Sequence, residues 1–132
     1  MKLLIDASVW SLFLRRKPAA NLSNEEREIV AVLTEAVGDG RVAIIGPIRQ
    51  EMLSGIKEPA QYERLRRALQ SYVDEPVTTS DYEEAARLFN VCRSKGVQCG
   101  AVVILLFAVA RRRQWAIITL DQGLKRCIDA LN

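Results

Sequence analysis

The sequence contains no histidine in 132 residues. That absence removes Ser-His-Asp triads, Cys-His pairs, imidazole general bases and every metal site built on imidazole. Any catalysis must run on carboxylates, hydroxyls, thiols, amines or a metal held by oxygen. Cysteine is scarce: Cys92, Cys99 and Cys127, with no C-x-x-C pair. The odd count and the spacing predict three free thiols, with neither a disulfide framework nor a zinc ribbon, as suits a reducing cytosol. Long apolar runs are also missing. The longest, Ala101 to Ala110, is half a membrane span, and Asp6 interrupts the apolar start of the chain before it can form a signal-peptide core. The expected location is cytoplasmic, with no membrane partner. No repeat, linker or low-complexity stretch divides the chain, so residues 1–132 are expected to form one domain.

What is present suits a soluble α/β fold. Charged residues make up 27%, and the net charge of +3 leans mildly toward anionic partners. Lys2-Leu3-Leu4-Ile5 reads as a buried strand ending at Asp6. A helix is expected over Ser8 to Leu14, closed by the charges and breaker of Arg15-Arg16-Lys17-Pro18. Ser23 and Glu26 form a capping box before a helix that ends at Gly38-Asp39-Gly40. Arg41 to Ile45 is a second strand, and Pro47 opens a helix that carries Glu51 toward Lys57. Pro59 starts a helix with Tyr62, Leu65, Leu69 and Tyr72 on one face and Arg64, Arg66 and Arg67 largely off it. Ser80 and Glu83 read as a second capping box, opening a helix to about Ser94. Ala101 to Ala110 predicts a central helix buried on most sides. Trp115 to Thr119 is a third strand, and Gly123 to Ala130 a final helix. Strands alternating with helices predict a parallel sheet with helices on both faces.

In an open parallel sheet, ligands bind beyond the carboxyl ends of the strands. Two predicted strands end in an aspartate, Asp6 and Asp121, and Glu51 can reach the same crevice from the side. Three carboxylates without histidine suit a hard cation such as Mg²⁺ or Mn²⁺, able to activate water and offset charge on a phosphodiester. Plainer roles stand beside this one. Asp6 and Asp121 each precede a helix and can serve only as N-caps. Glu51 on a helix can be merely solvated. Ser8 can be a cap or a support for Asp6. Arg111-Arg112-Arg113 can close a helix end or touch phosphates, with the former slightly favoured.

Leu4-Ile5-Asp6-Ala7-Ser8-Val9-Trp10 resembles the opening of PIN-domain ribonucleases, specifically the VapC toxins of bacterial toxin–antitoxin pairs. Pro47-Ile48-Arg49-Gln50-Glu51-Met52-Leu53-Ser54-Gly55 resembles their second motif, and Gln114 to Asp121 their last strand with its acid. The resemblance implies a three-layer α/β/α domain. It also implies a Mg²⁺- (or Mn²⁺-) dependent endoribonuclease with Asp6, Glu51 and Asp121 as its catalytic acids, Asp6 and Asp121 as metal ligands and Ser8 behind them. The implied partners are an RNA substrate, a cognate antitoxin and a second copy of the chain.

The sequence departs from that pattern at one position. The family carries a further Asp near the start of the central helix, where this chain has Val103, and no other acid lies between Glu84 and Asp121. The final motif is also thinner, with Gly123 and Leu124 where relatives often carry Asp and Phe. The alternatives to a working nuclease are therefore a degenerate domain that binds an antitoxin or RNA without turnover, and an inactivated form of an active toxin. A phosphoacceptor domain is a weaker fit, because only Asp6 follows the first strand and Thr119-Leu120-Asp121 lacks the lysine that class needs.

Overall fold

The computed structural model describes residues 1–15 and 19–132. The expected helix stop at Arg16-Lys17-Pro18 lies outside the described residues. The elements run β1 (Leu3–Ile5), α1 (Ala7–Arg15), a short 3₁₀ turn (Ala19–Asn21), α2 (Asn24–Gly38), β2 (Val42–Ile45), α3 (Gly46–Leu53), α4 (Pro59–Leu69), β3 (Asp74–Glu75), α5 (Thr79–Ser94), α6 (Ala101–Arg113), β4 (Ala116–Ile118) and α7 (Gln122–Leu131). The strands pair in the order β3-β2-β1-β4, all parallel. Helix α1 packs against α2 and α3, α3 also packs against α4, and α5, α6 and α7 form a second mutually packed group. The architecture is the expected three-layer α/β/α, PIN-like fold.

The sheet explains where a site can form. From β1 the chain winds outward through β2 to β3, then returns to the other side of β1 to lay down β4. The winding direction thus reverses between β1 and β4, and such a switch point leaves a crevice outside the carboxyl ends of its two strands. Leu3, Leu4 and Ile5 are all buried. Burying side chains of this size stabilises by about 2 kcal/mol each, so the register of β1 is strongly held. Leu3, Leu4 and Ile5 pair with Ala116, Ile117 and Ile118.

Helix α6 is the buried central helix read from its composition, with Ile104 to Ala110 all in the core. The Ser23–Glu26 capping box is present. The second box differs from expectation. Thr78, not Ser80, is the N-cap of α5, and Asp81, not Glu83, completes the box. The reason is long-range. Asp81 is buried, and it also binds both Arg113 (3.1 and 2.9 Å) and Arg112 (3.0 Å) at the end of α6. Arg113 donates further to the Pro76 and Val109 carbonyls and lies over the Trp115 ring. Arg112 and Arg113 are therefore structural, and Arg111 sits over Phe107.

Other boundaries moved. Helix α3 stops at Leu53, well short of Lys57, and is followed by Gly55 at φ 85°. Helix α4 ends at Leu69, so Tyr72 does not extend its apolar face; its ring instead packs on Trp10, with centroids 4.7 Å apart. The short strand β3 was not anticipated.

The cysteine expectation is corrected. Cys99, in the loop before α6, is disulfide-bonded to Cys127 on α7, with Cα atoms 6.1 Å apart, and only Cys92 is free and buried. A count along the chain could not show that α7 packs back beside that loop. The thiol argument for a reducing compartment therefore falls away. Among the described residues, no helix is long and apolar enough to cross a membrane.

Hydrogen bonds from Arg113, ahead of its backbone and hydroxyl bonds at Thr78, hold the Asp81 carboxyl well below the usual range. A depressed carboxyl contributes stability that is present above its unfolded pKa of ~3.9 and is lost as pH falls through the folded value. Asp81→Asn is expected to cost roughly 3 kcal/mol at neutral pH, measured by urea denaturation. The gap from the natural protein should narrow steadily as pH drops below about 4. A gap unchanged by acid would show that the charge of Asp81 does not stabilise the fold.

Candidate metal and phosphodiester site

Asp6 and Asp121 stand at the carboxyl ends of β1 and β4, on either side of the switch point. The Asp6 amide donates to the Ile118 carbonyl at 3.1 Å, carrying the ladder one residue past the strands. Two short motifs then lock together, Asp6-Ala7-Ser8 and Thr119-Leu120-Asp121. Ser8 Oγ donates to Asp6 Oδ2 at 2.7 Å and accepts from the Leu120 amide at 3.1 Å. Thr119 Oγ1 donates to the same Asp6 Oδ2 at 2.9 Å and accepts from the Asp121 amide at 2.9 Å. Each hydroxyl thus bridges the two strand ends. Asp6 is only 7% exposed, and two donors on one oxygen offset the cost of burying its carboxylate.

The N-cap reading holds for Asp121 and not for the Asp6 side chain. Asp121 caps α7, its Oδ1 accepting from the Gly123 and Leu124 amides at 2.7 and 3.4 Å. A Cβ at residue 123 would come within 3.1 Å of that Oδ1, so Gly123 permits the close cap. Asp6 supports α1 through its backbone carbonyl, which accepts from the Val9 and Trp10 amides. The cap and ligand roles are compatible. Among the described residues, hydrogen bonds engage Oδ2 of Asp6 and Oδ1 of Asp121, which leaves the other oxygen of each carboxylate for another partner.

Glu51, on α3, comes close enough to feel both aspartates. Its carboxyl is raised above the usual value, first by burial, then by the charges of Asp6 and Asp121. Glu51 thus lies within electrostatic reach of the two strand-end aspartates. Among the described residues, no three acids or thiols close into a ready-made metal cage. Mg²⁺ keeps several waters and is commonly held by one or two carboxylates plus phosphate oxygens.

Ser8 and Glu51 also line a cleft of about 870 Å³ between α1, α3 and α4. Thr119 is the residue at this junction that sequence reasoning passed over. Its signal was a hydroxyl two residues before the acid, mirroring the hydroxyl two residues after Asp6. Val103 lies in the first turn of α6, partly buried against the core, with no acid beside it on that helix.

With this geometry described, comparison places the fold. The chain is similar to one in the crystal structure of FitAcB from Neisseria gonorrhoeae. The two superpose with a TM-score of 0.73 over 96% of this chain and 93% of the other, at 18% sequence identity. No family model and no curated protein sequence matches the chain. At that identity the likeness is one of architecture.

A raised carboxyl has the opposite linkage to Asp81. The neutral form is favoured in the fold, so stability is fully present below the unfolded value and is lost as pH rises through the folded one. At neutral pH and without metal, Glu51 therefore opposes folding slightly. Glu51→Gln is expected to stabilise the metal-free protein by about 0.5 kcal/mol at pH 7, a modest figure because Glu51 is exposed and screened. The gain should vanish near pH 4, as read by thermal denaturation in a chelator. Destabilisation at pH 7 would mean that Glu51 makes a favourable contact instead.

Proposed function

We propose that this chain is a PIN-type RNA-binding domain of a toxin–antitoxin pair, with a metal-assisted endoribonuclease site centred on Asp6 and Asp121. The observation that carries the reading is the reciprocal hydroxyl bridging of the two strand ends, which ties the Asp6 carboxylate to the Asp121 backbone at the switch point. The motif resemblance supports it, and so does the fold shared with a chain of FitAcB. A bound Mg²⁺ would activate water and offset phosphodiester charge. Asp6 and Asp121 would hold it. Ser8 and Thr119 fix the Asp6 carboxylate, and Glu51 adds negative charge from α3 and can accept a proton from attacking water.

The partners in this reading are RNA, an antitoxin and a second copy of the chain. An apolar groove of about 510 Å³ between α5 and the start of α6 includes the exposed Tyr82 and Phe89 and offers surface for a protein partner.

Val103 favours a second reading, a domain that binds without efficient turnover. A valine can neither ligate a cation nor orient water. Loss of one catalytic group commonly costs several orders of magnitude in rate. Val103→Asp is expected to raise Mg²⁺-dependent cleavage of RNA by about 100-fold or more, and adding Asp6→Asn should abolish the gain. RNA binding without cleavage in either the natural chain or Val103→Asp would establish the binding module. Neither binding nor cleavage would reject both readings.

A further inference from the structure

Helix α4 carries Arg64, Arg66 and Arg67, and they are not equivalent. Arg66 and Arg67 both bind Glu63, at 2.5 and 3.1 Å. The Arg66 hydrogen bond, with help from Arg67, holds the Glu63 carboxyl down to about 2, so both guanidiniums are engaged by one carboxylate, although the trio keeps one net positive charge. Arg64 has no ion pair among the described residues. It is exposed, and it lines the 870 Å³ cleft that Ser8 and Glu51 also line. One cleft therefore carries an acid from the candidate metal site and an uncompensated guanidinium.

The rest of the lining is mixed. Leu14, Met52 and Leu65 supply aliphatic surface, while Ser11 and Gln61 supply hydrogen-bonding groups. A polyanion whose monomers are flat, apolar on their faces and polar at their edges fits this combination. Its phosphate would take the bidentate donors of Arg64, since guanidinium geometry matches phosphate oxygens. A base could lie against the aliphatic wall with its edge on Ser11 or Gln61. Bases already stacked and paired in a duplex cannot enter such a pocket without being extruded, which costs a few kcal/mol.

We infer that Arg64 anchors a phosphate of an unpaired RNA stretch whose base enters the cleft beside Glu51. This rests on the RNA reading proposed above and adds a substrate form and a positioning residue. Arg67, on the same helix but tied to Glu63, should contribute little.

The test is equilibrium binding of a labelled, unstructured oligoribonucleotide to the full chain in Mg²⁺, followed through a salt titration. The Arg64→Gln and Arg67→Gln variants are measured in parallel, with a duplex RNA as competitor. Arg64→Gln is expected to weaken binding roughly tenfold and to make the log–log salt slope shallower by about 0.7, the loss of one phosphate contact on a single strand. Arg67→Gln should change affinity by about twofold or less. The duplex should compete at least about tenfold more weakly than the unpaired strand. Equal losses in the two variants, or an unchanged affinity and slope in Arg64→Gln, would overturn the inference while leaving RNA binding in place. Unchanged RNA affinity in Arg64→Gln with lost binding of poly-glutamate would assign the residue to an acidic protein partner and overturn it as well. No RNA binding by the natural chain would instead defeat the RNA reading itself.

Discussion

Ile5 and Ile118 pair across two parallel strands, and the bond from the Asp6 amide to the Ile118 carbonyl extends that pairing to the point where both strands stop. Everything proposed for the molecule depends on this junction. β1 and β4 lie far apart in sequence, so their pairing costs loop-closure entropy that the buried strand residues and α6 must offset. Once the pairing is made, two acids arrive together at the same end of the sheet. Ser8 and Thr119 then bind across the gap, so the Asp6 carboxylate is fixed against the end of β4 by hydrogen bonds within the chain.

The same junction carries an electrostatic cost. Loss of solvent raises the Glu51 carboxyl first, and the charges of Asp6 and Asp121 raise it further. A fold would not gather like charges for stability alone, because neutral side chains would fill the space without the repulsion. Perturbed acids in a cleft are a signature of function, although structural networks also perturb acids. Asp81 illustrates that second kind. It is more deeply buried than Asp6, but its charge is spent on Arg112 and Arg113 and on its own helix cap. The contrast separates a carboxylate that holds the fold from carboxylates that retain a spare oxygen.

Much of this could be read from the chain. The apolar run before Asp6, the strand before Asp121 and the run from Ala101 to Ala110 each announced their elements, because burial demands continuous apolar sequence in parallel strands and central helices. The acids at strand ends followed from the general placement of sites in such sheets. What escaped notice was decided by long-range contact. Thr78, Thr79 and Ser80 all precede acidic residues at capping distances or nearly so, and only the reach of Arg113 to Asp81 selects Thr78. The Cys99–Cys127 bond depends on α7 returning beside the loop before α6. Thr119 reads as an ordinary strand residue until its hydroxyl is found on Asp6. The two residues of β3 are too few to produce a periodic pattern at all.

The central claim, that Asp6 and Asp121 share a cation, is most directly tested by titrating Mn²⁺ into the metal-free protein by calorimetry, with Mg²⁺ as competitor. Asparagine is a good N-cap and keeps a carbonyl oxygen, so Asp6→Asn and Asp121→Asn remove charge with little cost to the fold. The account predicts a single Mn²⁺ site in the natural chain that each substitution weakens by about tenfold or more. Equal Mn²⁺ affinity in the natural chain and both variants would contradict it.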